Sequence, residues 1–406
     1  MHTINTKQKN LLKLAIITMS FVQLGTNGIA PILAQIQEAF PQASAANVQF
    51  LMTFPSIFSL IFAMVCAFLS DHISKRILAV TGLLLVVAAG FLGFFFHGSL
   101  SLLFAWAAIL GIGIGMVAPL APALVNETFV NKEKQTMLGW QNASSSAGSM
   151  IMTFLGGILA VLGWHFGYLV YLIGIPGILF SMIAVPGKRN GLLVGAKTND
   201  TATDHEERSS EQVVRGPFRL VIWREMIITF VLLIVFSAVP ANLSMLVAER
   251  SLGATTISGT MSTLFLCGGM LFGILFGKVS SILKKRTDFV GALMLAFGSC
   301  IIALSSNVAL ICICCLIAGS SISLVMPTCM SAAGKLKGYE TLNSSLILGT
   351  SFVGVFVTPV LTTLTANITG SESVTYRFFM VMIVALILSV LTILLKKAKR
   401  SSRRTA

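Results

Sequence analysis

The residues best placed to act together are Asp71, Lys75 and Arg76, with Leu69 just ahead of them. An acid and a basic pair stand between two apolar runs, close enough for a charge-assisted hydrogen bond in partly dry surroundings. Such a set can latch one conformation and release another, or it can simply fix topology. A second group consists of amides. Gln23 and Asn27 share one face of a helix, with Thr26 beside them. Gln141, Asn142, Asn242 and Asn343 also fall within or beside apolar runs. A buried amide must be paired or face water, so each serves either a neighbouring helix or a cavity, and Gln23 with Asn27 is the preferred substrate-binding pair. Catalytic sets are missing. The five histidines, His2, His72, His97, His165 and His205, are scattered at ends and in loops. Cys312, Cys314 and Cys315 have no histidine or carboxylate near them in sequence, and no nucleotide-binding loop occurs. No metal, cofactor or hydrolytic chemistry is expected, and neither is an ATP-driven pump.

The elements that position these residues are apolar. The chain has 406 residues, 55% hydrophobic and 10% charged, with a mean hydropathy of +0.90. Soluble domains carry about 25% charged residues. Runs long enough to cross a bilayer fall at 11–36, 46–70, 77–97, 100–127, 136–162, 165–186, 219–247, 255–280, 287–306, 308–333, 341–367 and 375–396. The expected class is therefore all-α and integral to the membrane, with twelve transmembrane helices. The net charge of +14 would suggest nucleic acid in a soluble protein. Here all but Arg250 and Arg377 of the 28 Lys and Arg residues fall on one side of the span pattern. Cytoplasmic loops keep positive charge, so the expectation is a multi-pass protein of the cell membrane with both termini in the cytoplasm, surrounded by lipid and without a nucleic-acid partner.

The chain repeats itself. The stretch Ala67–Arg76 aligns with Gly277–Arg286, and Gly111 and Pro119 align with Gly319 and Pro327, at a nearly constant offset. This implies two pseudo-symmetric six-helix bundles, residues 1–187 and 219–396. A polar cytoplasmic linker, 188–218, joins them, and a basic tail, 397–406, follows. Repeats of this kind place a transporter's site at their interface near the membrane midplane. No Asp, Glu, Lys or Arg lies near the centre of any span, because Glu38, Glu127, Glu225, Glu249 and Asp288 all sit at ends. A charge at the bilayer centre is costly and is kept mainly for function. Its absence points to a neutral or amphipathic substrate. Met245, Met270 and Met326, with Phe54 and Phe58, could line an adaptable apolar cavity.

Several of these residues carry a resemblance to the major facilitator superfamily, in its drug/proton antiporter-like branch. Leu69, Asp71, Lys75 and Arg76 match that family's loop 2–3 motif, with Ala67 and Ser74 where its glycines stand. Gly111 matches the helix 4 glycine, while Ala107 occupies the arginine position. In helix 5, Gly139, Gly148, Gly156 and Gly157 have the spacing of the exporter motif, with Met152 and Thr153 in place of its Gly-Pro. Gly163-Trp164-His165-Phe166 is similar to the segment that follows. The resemblance implies a monomeric secondary transporter working by alternating access, with Asp71 and Arg76 gating the cytoplasmic side. The helix 5 glycines imply efflux, with protons as a coupling ion. The alternatives are uptake of a small metabolite by the same fold and, in another class, a membrane-embedded enzyme or receptor.

Overall fold

The computed structural model describes residues 6–43, 45–187, 220–252, 255–333, 340–369 and 373–402. These are helical almost throughout, and no β-strand occurs among them. The first bundle contains α1 (Thr6–Ser20), α2 (Leu33–Ala39), α3 (Ala45–Leu69), α4 (Lys75–Phe95), α5 (Leu100–Val117), α6 (Leu120–Thr128), α7 (Asn131–Leu159) and α8 (Gly174–Ala184). The second contains α9 (Leu220–Glu249), α10 (Thr255–Leu283), α11 (Thr287–Leu304), α12 (Val308–Ala333), α13 (Glu340–Thr369) and α14 (Val374–Ser402). Eleven helical segments among the described residues are long and apolar enough to cross a membrane. With Thr6–Ala39 they make the twelve-span, two-bundle layout. The linker read at 188–218 lies outside the described residues, and helix α14 continues through Ser402, into the stretch read as the tail.

The first span departs from the continuous helix expected at 11–36. It is α1, a turn at 21–24, a 3-10 helix Gly25–Ile32, and then α2. Gly25, Gly28 and Pro31 explain the break: glycine costs helix stability, and proline removes a backbone donor. The span read as 100–127 is likewise divided into α5 and α6 at Ala118-Pro119. The sixth span opens as a 3-10 helix, Trp164–Ile173, after Gly163, whose φ of 136° suits a residue without a Cβ.

Packing repeats between the bundles. A Cβ on Gly148 would strike the Phe21 backbone carbonyl, and one on Gly354 would strike that of Phe230. Gly111 lies against the Pro55 carbonyl as Gly319 lies against that of Phe265. In lipid no hydrophobic force draws helices together, so close backbone approach at small residues carries the packing. The sequence repeat is thus a repeat of contacts.

Candidate functional site

The two bundles meet along α7 with α10 and along α3 with α13. At the end carrying the basic loops both seams are closed. Gly139 of α7 lies on the Gly273 carbonyl and Phe276 of α10, Gly273 packs on Ala143, and Gly277 packs on Thr136. Ser280 donates to Gln135 Oε1 at 3.0 Å, and Asn126 Nδ2 donates to the Met330 carbonyl at 2.9 Å. On the other seam Gly349 receives Leu60 and Met64. Near mid-helix the Cys267 thiol approaches Met150 Sδ at 3.3 Å.

Toward the opposite end the same faces come apart. Positions 139, 143, 146 and 150 of α7 continue by helical period to 154 and 157. Phe154 is 69% exposed, and Gly157 is exposed as well. Gly259, on the continuing face of α10, has no atom within 4 Å of where its Cβ would be. Phe50 on α3 and Phe356 on α13 are exposed in the same way. The space between the bundles therefore opens away from the basic loops.

On the first bundle this region is organised by the broken first span. Gln23 Nε2 donates to the Ala118 carbonyl at 3.0 Å, while Gln23 Oε1 accepts from Gln141 Nε2 at 3.0 Å and from the Ser145 hydroxyl. Asn27 Nδ2 donates to Ser149 Oγ at 2.9 Å, and its backbone carbonyl accepts from Thr153 at 3.3 Å. Tyr171, on the sixth span, donates to the Gly25 carbonyl at 3.0 Å. Irregular backbone at membrane depth has to find donors from the protein, and these side chains supply them. Helix α3, which also packs against the 3-10 segment Gly25–Ile32, carries an aromatic ridge facing α5. Phe54 meets Phe50, Phe58 and Phe104 edge-on, with ring centroids 5.6, 5.2 and 5.0 Å apart.

The structure thus brings Gln23, Asn27 and Gln141 together. Thr26, half-buried, makes none of these bonds. Asn142 is buried and donates to Leu138 of its own helix at 3.1 Å. Asn242, in the other bundle, donates to Ala238 at 2.8 Å and accepts from Arg377 at 3.2 Å. Asn343 donates to the Ala333 carbonyl at 3.2 Å. Of the methionines, Met326 is buried, and Met245 is exposed and touches Arg377. In the loop 2–3 group, Lys75 pairs with Glu127 and Arg76 Nε donates to the Val185 carbonyl. Asp71 is exposed and Leu69 half-buried. Gly139, Gly148 and Gly156 are buried, and Gly157 is exposed.

Three sets escaped the sequence reading. Ser145, Ser149 and Thr153 follow Gln141 at every fourth residue, a polar stripe on one helix face that spacing alone could have found. In the second bundle Thr229 meets Thr350 at 3.2 Å, and Ser237 meets Thr358. Glu225 and Asp288, near the basic end, are wholly buried, although linear position makes them look like helix-end charges. Both lie close to Cys329 of α12. Arg224 pairs with Glu225. At the far end Arg250 donates to the carbonyls of Ile302, Ala303 and Ser305 and to Thr375, capping α11. Glu249 accepts from the Ser373 hydroxyl at 2.6 Å and the Val374 amide at 2.7 Å; these bonds hold its carboxyl below the usual range. All seven cysteines are free, and no cluster of three potential metal ligands occurs among the described residues.

The family model described as the Major Facilitator Superfamily matches residues 15–337. Among solved structures, the chain is similar to the human organic anion transporter MFSD10 (TETRAN), with a TM-score of 0.68 at 14% identity over 94% of this chain and 97% of that one. It is similar to the Escherichia coli fucose:proton symporter FucP, with a TM-score of 0.68 at 14% identity, covering 94% and 98% of the two chains. It is also similar to the proton:xylose symporter XylE, with a TM-score of 0.71 at 14% identity, covering 96% and 95%. At these identities the likeness shows the fold. No curated protein matches the sequence.

Proposed function

The chain belongs to the Major Facilitator Superfamily, and on that premise we propose that it exports a neutral or amphipathic organic compound across the cell membrane by alternating access. The coarser part follows from the family: this is a multi-pass membrane transporter of a small substrate. The observation that carries the finer reading is the split seam. One face of α7 is locked to α10 at the basic end and stands apart from it at the other. With the basic loops in the cytoplasm, both termini are cytoplasmic and this is the outward-open state. Rocking the bundles would close Phe154 and Gly157 onto the Gly259 face and open the cytoplasmic seam. The chain acts as a monomer within lipid.

Substrate recognition is assigned to the wall around Gln23, Thr26, Asn27, Gln141 and Asn142, with Asn242 opposite. Its groups are amides and hydroxyls, and the aromatic ridge adds apolar area, which suits an uncharged or weakly ionised compound. The helix 5 glycines Gly139, Gly148, Gly156 and Gly157 support efflux. Leu69, Asp71, Lys75 and Arg76 gate the cytoplasmic side. In that role Lys75 and Arg76 brace the end of the first bundle through Glu127 and Val185, leaving Asp71 free to engage the second. If protons are the coupling ion in an antiport cycle, Glu225 and Asp288 are the carboxylates removed from water that could carry them.

The test compares a metabolite and drug panel inside and outside cells expressing the chain with cells expressing Asp71→Asn or Gln23→Ala at equal abundance. Depletion of one compound inside, weakened in both variants, is expected. Accumulation inside would reverse the direction and establish uptake. Unchanged transport in Asp71→Asn would remove that residue from the gate.

A further inference from the structure

We propose that the cytoplasmic gate is an amide cap: Asn126 of the first bundle holds the C-terminus of α12 in the second, with Gln135 and Ser280 as its companion bond. The proposal rests on the alternating-access reading above and names the side chains that set the balance between its two states.

A helix leaves its last four carbonyls without intrahelical donors. Met330 is in the final turn of α12, which ends at Ala333. Its carbonyl receives Asn126 Nδ2 at 2.9 Å, and the Ala333 carbonyl receives Asn343 Nδ2 at 3.2 Å. The two caps differ in kind. Asn343 belongs to α13 in the same bundle and can stay in place when the bundles rock. Asn126 lies on α6, across the bundle boundary, so its bond has to break whenever the cytoplasmic side opens. Gln135 with Ser280 is likewise a bond between bundles. Leu60 and Met64 against Gly349, on the other seam, make an apolar contact.

The Asn126 bond is buried, with Asn126 9% and Met330 1% exposed. An interior hydrogen bond is electrostatically stronger than one in water. It is also incomplete, since Asn126 Oδ1 is enclosed with no hydrogen-bond partner among the described residues. Closing the gate gains one bond and dries one acceptor, and opening reverses both. The two states are thereby kept close in free energy, as a gate that cycles requires. The neighbouring Glu127 is bound to Lys75 within its own bundle, so the hydrogen bond from α6 to the second bundle is made by the amide beside it.

Hydrogen exchange of the full-length protein in lipid nanodiscs tests this. Uptake is read in peptides covering 131–140 and 324–333 at the cytoplasmic end and 154–162 and 255–262 at the outer end. Asn126→Ala, and Ser280→Ala as a milder second variant, should raise uptake at the cytoplasmic end and lower it at the outer end. The ratio of inward- to outward-open forms should move about 2- to 10-fold, the worth of one net hydrogen bond. Asn126→Asp, which sets a carboxylate against the Met330 carbonyl, should move it further. Gly139→Val is the independent driver, because its side chain must part α7 from α10. If Gly139→Val moves the two ends in opposite directions and the Asn126 and Ser280 variants do not, the amide cap is overturned and alternating access stands. If Gly139→Val moves neither, the transport cycle itself is wrong. Higher uptake at both ends in Asn126→Ala would make the residue a general structural support, and the gate proposal would fail.

Discussion

Replacing Lys75 by methionine should destabilise the protein more than replacing its partner Glu127 by glutamine, and the double variant should recover most of the loss. Each side chain of this pair is 20% exposed, so the pair is neither a surface bridge nor fully interior. Exposed pairs are worth about 0.2–1 kcal/mol. Removing one member of a buried pair costs about 3–5 kcal/mol, because the other charge is left uncompensated. Four-fifths shielding places Lys75→Met at about 2 kcal/mol between those bounds, a factor of about 30 in the unfolding equilibrium. The asymmetry comes from the neighbours. Without Lys75, the Glu127 carboxylate faces Glu340 of α13, which acts on it as a like charge. Without Glu127, the flexible lysine stem can carry its ammonium toward water, so Glu127→Gln should cost about half as much. Replacing both members of a buried pair is often close to neutral. Equilibrium unfolding of the wild type, both single variants and the double variant in one detergent gives the coupling energy directly. The expected value is about 2–3 kcal/mol of favourable coupling. Additive single losses, with coupling below about 0.3 kcal/mol, would show that the two charges titrate into water separately and would refute the bracing role given to Lys75.

Gly148→Val should cost about 3 kcal/mol, at the upper end for overpacking, because its Cβ would meet the Phe21 backbone carbonyl rather than a movable side chain. Gly259→Ala should be neutral or slightly stabilising, since nothing lies within reach of its Cβ, and monodisperse yield with unfolding midpoints separates the two. Glu249 gives a pH prediction. The Ser373 hydroxyl and the Val374 amide hold its carboxyl below the ordinary range, so its contribution is fully present above the unfolded carboxylate pKa. It is lost as pH falls through the lowered folded value. The melting temperature of Glu249→Gln should accordingly lie below that of the wild type at neutral pH and converge with it as the medium is acidified, and parallel curves would overturn this account of the bond.

The architecture was legible because membrane insertion imposes long apolar runs and charge asymmetry on the sequence itself. Eleven of the twelve expected segments recur as single regions of sufficient length. The first fails that test because hydropathy does not register Gly25, Gly28 and Pro31, which break it. The Gln23, Asn27 and Gln141 neighbourhood was partly legible, since buried amides need partners. The identity of those partners was not, because it depends on the angle at which α7 crosses the broken span. Glu225 shows the opposite limit. At the start of α9 its position reads as a helix-end charge facing water, yet it is wholly buried. Sequence position gives depth along a helix, and burial depends also on which neighbours surround that turn.

These contacts bear on how a substrate could be held. Gln23 already engages three partners, and Asn27 engages two. A ligand bonding to Gln23 displaces or shares a protein bond, whereas the Asn27 side chain is bonded only through Nδ2 among the described residues and offers its Oδ1 as an acceptor. On the proposed reading, the larger share of binding energy would come from apolar contact with Phe50, Phe54, Phe58 and Phe104. Covering about 200 Å² of apolar surface is worth about 5 kcal/mol at 25 cal/mol per Å², before the losses of immobilising the ligand. A site built this way would select more by the size and apolarity of the ligand than by its hydrogen-bond pattern. Removing the Phe54 ring should therefore weaken binding across a whole panel of compounds, while Gln23→Ala should act through the geometry of the broken helix and change which compounds are carried.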